Sequence, residues 1–127
     1  MPDSSDLSRR ERQIMDIIYS RGEATATDVL GAMPDAPTRM AVRALIRILE
    51  EKGHLKHAQR GREFVYQPTA PRHRAGLSAM RRLLSTFFEG SLEKAVASHL
   101  SDPTSECSEE ELNRLAGLIR KARKERR

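Results

Sequence analysis

The stretch AVRALIRILEEKGHLKHAQRGREFVYQP, residues 41–68, constrains the fold more than any other part of the chain. Val42, Leu45, Ile46 and Leu49 recur at i, i+3, i+4 and i+7, the one-face pattern of an amphipathic helix running from about Thr38 to Lys52. Gly53 supplies the stop. Two short runs, HLKHAQ and REFVYQ, then read as strands around an Arg-Gly turn, with Phe64 and Tyr66 sharing one face and Pro68 closing the second strand. At about 100° per residue, Arg39, Arg43 and Arg47 lie beside the apolar stripe, while Met40, Ala44 and Arg47 fall most nearly opposite it.

Two helices precede this unit. In SRRERQIMDIIYSRG, Ser8 and Glu11 have capping-box spacing, Ile14, Ile17 and Ile18 mark one face, and Gly22 ends the pattern. In ATATDVLGAMP, Thr25 caps a short helix with Asp28 in its first turn and Val29, Leu30 and Met33 inward. The stretch DAPT is turn chemistry. Three helices and a hairpin over residues 55–67 make a winged helix-turn-helix, with residues 38–52 as the recognition helix and the hairpin as the wing.

The segment TAPRHRAG reads as a boundary, giving a winged-helix domain over residues 1–70 and a helical domain over residues 71–127. Beyond it, Leu77, Met80, Leu84 and Phe87 follow 3-4-3 spacing, and Leu83 and Phe88 widen the face, as in a coiled-coil seam or bundle helix. SLEKAVASHL is a second short amphipathic helix. The last, SEEELNRLAGLIRKARKERR, has capping-box spacing from Ser108 to Glu111 and keeps Leu112, Leu115 and Ile119 on one side. The fold class expected is mainly α with a small β-hairpin, a winged helix-turn-helix plus a C-terminal helical dimerisation domain.

Charge and composition narrow the function. The chain of 127 residues has a net charge of +5, and Arg39–Arg62 alone holds seven Lys or Arg against two acids, so the excess sits on the predicted helix and wing. A sequence pI near 9.9 points to a polyanion, most often nucleic acid. With no Trp, three Phe and two Tyr, the core is aliphatic and thin, and a chain this small gains from burial against a partner subunit. The single cysteine, Cys107, rules out an intrachain disulfide or a thiolate cluster within one chain. No run approaches the ~20 apolar residues of a membrane span, and the N-terminal MPDSSDLSRRE has no signal core, so a cytoplasmic protein without membrane insertion is expected. No Ser/His/Asp grouping, metal-ligand cluster or Gly-rich phosphate loop is visible, so neither enzymatic activity nor a cofactor is expected.

Taken together, LSRRERQIMDIIY, AVRALIRILEEKGHL, REFVYQP, FFEGSLEKAVASHL and SEEELNRL, in that order and spacing, resemble the penicillinase repressors of the BlaI/MecI family over nearly the whole chain. The resemblance implies a homodimeric transcriptional repressor on a pseudo-palindromic double-stranded DNA operator. It also implies release by a membrane-bound sensor protease that cuts the helix here written SLEKAVASHL, at or near Ser98–His99. Many relatives carry polar residues, often threonines, just before the valine of the recognition helix. Here that stretch is Arg39, Met40 and Ala41, which implies a different operator sequence. Copper-responsive relatives end in a cysteine-rich motif that Cys107 alone does not supply, so proteolysis or an unidentified signal is preferred to metal sensing.

The DNA-contacting set is therefore Thr25, Thr27, Thr38, Arg39, Met40, Ala41, Arg43, Arg47, Arg60 and Arg62. Arg43 and Arg47 suit phosphates or guanine edges, against the plain alternative of a solvated helix face. Arg60 and Arg62 suit phosphate or minor-groove contact. Thr25 and Thr27 stand where hydroxyls and helix-start amides hold phosphate, although capping alone also explains Thr25. Leu77, Met80, Leu83, Leu84, Phe87, Phe88, Leu112, Leu115 and Ile119 form the dimerisation set. His54 and His57 have H-x-x-H spacing but no further ligands in position, and read as structural or solvated. Cys107 lies in the acidic stretch DPTSECSEEE, which raises a thiol pKa and dulls it as a redox sensor. The other readings open are a winged-helix module that docks proteins and a regulator gated by a small molecule in its aliphatic interface.

Overall fold

A computed structural model describes residues 6–35 and 37–126; Ala36, within the DAPT turn stretch, lies outside the described residues, as do residues 1–5 and 127. The element order is α1 (Arg9–Arg21), α2 (Ala26–Ala32), α3 (Arg39–Glu51), β1 (Leu55–Arg60), β2 (Glu63–Pro68), α4 (Arg72–Phe87), α5 (Leu92–Ser101) and α6 (Glu109–Glu125). They form two compact units, Met1–Met80 and Arg81–Arg127.

The starts of α1, α2 and α3 are chemically marked. Ser8 accepts from the Glu11 amide at 3.1 Å, and the Glu11 carboxylate accepts from the Ser8 amide at 2.8 Å. Thr25 and Asp28 make the same reciprocal pair, both bonds at 3.0 Å. Thr38 caps α3 by accepting from the Ala41 amide at 3.1 Å. Each cap satisfies amides that the helix leaves without partners and stabilises it by about 1 kcal/mol.

The core is the meeting point of the three apolar stripes. Ile14 and Ile18 from α1, Val29 from α2, and Val42, Ile46 and Leu49 from α3 are fully buried. Met15, Ala24, Met33 and Leu55 complete the cluster, and Ile17, Leu30, Leu45 and Tyr66 pack on its margin. Each fully buried aliphatic side chain contributes roughly 1.5–3 kcal/mol of transfer free energy. Three bonds tie the turn before α3 to α1: Arg10 donates to the Asp35 carbonyl at 2.9 Å and pairs with its carboxylate at 3.3 Å, and Gln13 donates to that carboxylate at 3.3 Å.

Gly53, at φ 86°, lets the chain leave α3 and turn directly into β1. The hairpin is antiparallel, with Leu55 opposite Pro68 and Arg60 opposite Glu63, so Gly61 and Arg62 form a two-residue turn. Gly61 takes φ 63° there, the positive value that tight hairpins require. Val65 is buried, while Phe64, exposed, and Tyr66, half-buried against the margin of the core, share the other face of the strand. One contact has no counterpart in the sequence pattern: Ala24 pairs with Tyr66 as an isolated bridge, its amide and carbonyl bonded at 3.0 and 2.8 Å. The wing is thereby fastened to the loop before α2.

Helix α4 begins at Arg72, inside the segment TAPRHRAG that reads as a boundary, and Arg72 donates to the Ser20 carbonyl at 3.1 Å at the end of α1. Glu89 and Gly90, both at positive φ, separate α4 from α5. Ser91 caps α5, and Ser108 caps α6 by accepting from the Glu111 amide at 3.1 Å. Acids in the first turn of α6 and cations in its last suit the helix dipole. None of α4, α5 and α6 contains a buried residue.

Candidate nucleic-acid interface

Three separate segments meet in front of α3. A shallow cleft of about 150 Å³ is lined by Thr25, Ala26 and Thr27 from the start of α2, Arg43 from α3, and Arg62, Glu63, Phe64 and Tyr66 from the wing. Four of the sequence-predicted contact residues, Thr25, Thr27, Arg43 and Arg62, therefore share one concavity. Arg47 stands one helical turn beyond Arg43, and both cations lie within electrostatic reach of Tyr66. The Tyr66 hydroxyl is pushed above its ordinary pKa by burial and by the Glu50 carboxylate, against the opposing influence of those two arginines.

The remaining predicted residues are distributed around this cleft. Thr25 is committed to its capping pair, leaving its hydroxyl hydrogen to donate. The Asp28 carboxylate occupies that helix start and is held below its usual range by the Thr25 amide and hydroxyl. Thr27 accepts from the Arg39 guanidinium at 3.0 Å, linking the starts of α2 and α3. Thr38 and Arg39 are exposed, Ala41 is half-buried, and Met40 projects outward with 81% of its surface accessible.

Arg60 is differently placed. Its guanidinium makes a two-pronged pair with the Glu23 carboxylate, which also accepts from Gln67 at 3.1 Å. These bonds, led by the one from Arg60, hold the Glu23 carboxyl below its ordinary pKa. Sequence reasoning missed Glu23, because the partners are 37 residues apart and no period connects them. It also left Phe64 and Tyr66 as strand markers, although both line the cleft. An aromatic pair two residues apart beside an Arg-Gly turn was the available signal.

His54 and His57 each face a carboxylate. His54 is buried with Nε2 3.4 Å from an Asp6 carboxylate oxygen. His57 meets the Glu50 carboxylate through Nδ1, and its ring tilts against Phe64 with centroids 4.6 Å apart. The Cys107 thiol is raised above its ordinary pKa by burial, then by a hydrogen bond to Glu111 and the charges of Glu111 and Glu109.

The predicted dimerisation residues are largely uncovered. Leu77, Met80, Leu83, Phe87, Leu115 and Ile119 are exposed, and Leu84, Phe88 and Leu112 are half-buried. Leu92, Val96, Leu100 and Leu118, which the sequence reading did not include, are exposed as well. No helix among the described residues is long and apolar enough to cross a membrane.

A three-helix core carrying a two-stranded wing, with amphipathic helices after it, defines a winged helix-turn-helix protein with a helical C-terminal region. The sequence profile described as "Penicillinase repressor" matches residues 7–121, and the chain belongs to that family of transcriptional repressors. Similar solved structures include the DNA-binding domain of the repressor BlaI in solution, at 23% identity and a TM-score of 0.50, covering 56% of this chain and 89% of that one. Bordetella bronchiseptica BpsR, described with regulation of its DNA binding by 6-hydroxynicotinic acid, aligns at 24% identity and a TM-score of 0.49, over 76% of this chain and 72% of that one. A possible transcriptional regulator for arsenical resistance aligns at 27% identity and a TM-score of 0.41, over 70% and 84%. The likeness to the BlaI domain concerns the fold. Among curated proteins no match is found.

Proposed function

We propose that this protein is a homodimeric repressor that binds a pseudo-palindromic DNA operator. Helix α3 enters the major groove and the wing lies along the adjacent backbone. The observation that carries this reading is the cleft that gathers Thr25, Thr27, Arg43 and Arg62 from three segments beside the exposed face of α3. Hydroxyls and guanidinium groups converging on a concave surface are suited to phosphate oxygens, and an arginine on the exposed helix face is suited to guanine O6 and N7. Arg39 and Arg47 extend the same cationic surface, with Thr38 and Ala41 at the helix start. Arg60 joins the phosphate contacts once it exchanges the Glu23 carboxylate for one.

The dimer is assigned to residues 71–127, with residues 1–70 as the DNA-binding part. Support comes from Phe87, Leu118 and Ile119, which are 74%, 62% and 60% exposed, on helices that bury no residue of their own. Large apolar side chains left uncovered on amphipathic helices mark an interaction face. The occupant proposed is a second copy of the chain, which places two recognition helices on two half-sites. Release is assigned to a membrane-bound sensor protease acting at or near Ser98–His99, or to another signal. Both residues are exposed but lie inside α5, so this helix must unwind before a protease can engage an extended backbone.

Selection from random duplexes, followed by binding measured against salt, tests the reading. One motif with two inverted half-sites should be enriched, and log K should fall linearly with log[salt], with a slope near −0.9 per phosphate neutralised. Arg43→Ala should weaken binding by about 1–3 kcal/mol if it reads a base. A protein that enriches no motif, or whose binding is indifferent to salt, is not this repressor.

A further inference from the structure

The face of α3 turned away from the core is not uniformly basic. Met40 is 81% exposed, and Ala44, one turn further on, is exposed beside it. Arg43 and Arg47 flank this strip on the wing side. Among the described residues Met40 is not part of the core or its margin: the buried side of the helix belongs to Val42, Ile46 and Leu49. A long apolar side chain at the first turn of a solvated helix holds apolar surface whose withdrawal from water on binding would be favourable.

The surroundings say what that occupant is. The strip is bordered by Arg39, Arg43 and Arg47, with Thr27 and Arg62 in the adjoining cleft, so its border is complementary to a polyanion. Met40 and Ala44 are four residues apart, about 6 Å along the axis, which matches roughly two base steps of a strand. The major groove offers one apolar group at base edges, the C5 methyl of thymine. Methionine, unbranched and polarisable, adapts its shape to such a contact.

Building on the DNA-binding reading above, we infer that Met40, with Ala44 behind it, reads thymine methyl groups in the major groove and is a specificity-determining residue of this chain. The operator half-site then holds thymine at one or two adjacent positions facing the start of α3. Arginine neighbours supply attraction to any duplex; the apolar strip supplies discrimination.

Replacing thymine by deoxyuridine removes the methyl and nothing else. The operator enriched from random duplexes is resynthesised with deoxyuridine at each thymine position in turn, and binding of the full-length protein is measured. Withdrawing one methyl-sized group from water corresponds to about four-fold in affinity. The unmodified protein should therefore lose about four-fold at one or two positions per half-site. M40A should bind the thymine operator more weakly and show no thymine–deoxyuridine difference at those positions. If every substituted operator binds as tightly as the parent, the contact is refuted while the DNA-binding reading stands. That is also the result if the strip serves a protein partner. If M40A keeps the full discrimination, another residue reads the methyl and the assignment falls. Failure to enrich any operator overturns the DNA-binding reading and this contact with it.

Discussion

Glu11 is the buried acid that joins the start of α1 to the end of α3, and Glu11→Gln isolates its charge. In the folded chain its carboxylate accepts from the Ser8 amide at 2.8 Å and from Lys52 Nζ at 3.1 Å, while its side chain is only 6% exposed. Glutamine keeps the capping carbonyl, since either residue completes a capping box. What it loses is the charge-assisted part of the Ser8 bond, roughly 0.5–1 kcal/mol. It also loses the pair with Lys52, which is 32% exposed and so counts near the surface value of about 0.5–1 kcal/mol. Relief from burying a charge offsets part of this, leaving a net loss of about 1 kcal/mol. For a cooperative unit of this size that lowers Tm by about 4–8 °C. The pH dependence has a definite sign. Burial alone would raise the Glu11 carboxyl, but the Ser8 amide, Lys52 and the Ser8 hydroxyl together hold it below its ordinary value. Its stabilisation is therefore fully present above the unfolded value of about 4.3 and is lost as pH falls through the lower folded value. Circular-dichroism melts of the two proteins should differ at neutral pH and converge in acid. A gap that persists undiminished well below the carboxylate range, or none at neutral pH, would refute the argument.

Two further outcomes follow from the same contacts. Glu23→Gln should free Arg60 from its carboxylate and tighten binding to any duplex, with a steeper salt dependence in fluorescence anisotropy; an unchanged slope would mean that Arg60 never reaches phosphate. Phe87→Glu and Leu118→Glu should each shift the chain from dimer to monomer in ultracentrifugation and weaken operator binding, and dimers that survive both would place the subunit contact elsewhere.

How much of this was readable in advance depends on sequence separation. Ser8 with Glu11, Thr25 with Asp28, and the stripe Val42, Leu45, Ile46 and Leu49 are local, so periodicity and capping chemistry place α1, α2 and α3 within a residue or two. Gly53 and Gly61 mark their turns because positive φ leaves few other choices. Several ties escaped, among them the Ala24–Tyr66 bridge, the Glu23–Arg60 pair and the Glu11–Lys52 pair. Each joins residues tens of positions apart, and a single-residue bridge has no repeat to detect. The cleft was half visible. Arg43 and Arg62 stand out by charge, but that they share a concavity with Thr25 and Thr27 depends on where Ala24 fastens the wing. In the last helix the capping-box spacing is realised on one side, with the Ser108 hydroxyl accepting from the Glu111 amide. The Glu111 side chain is drawn instead towards the Cys107 thiol.

The base and the tip of the wing are held by different means. Towards the base, Leu55 is buried and Ala24 clamps Tyr66 through two backbone bonds, and Val65, midway along, is the last buried residue before the tip. At the tip, residues 59–63 are all exposed, and the tie to the body of the fold is the Arg60–Glu23 pair. Local opening is easiest where least apolar surface is buried, so the hairpin behaves as a cantilever, stiff at its root and compliant at its end. Groove width and backbone path vary with base sequence in a duplex. In the proposed complex a compliant tip would follow that variation while α3 keeps its place, and the stiffer root would convert each displacement into a difference in binding energy. Base pairs that no side chain touches would then still influence occupancy, through the shape they impose on the backbone beneath the wing.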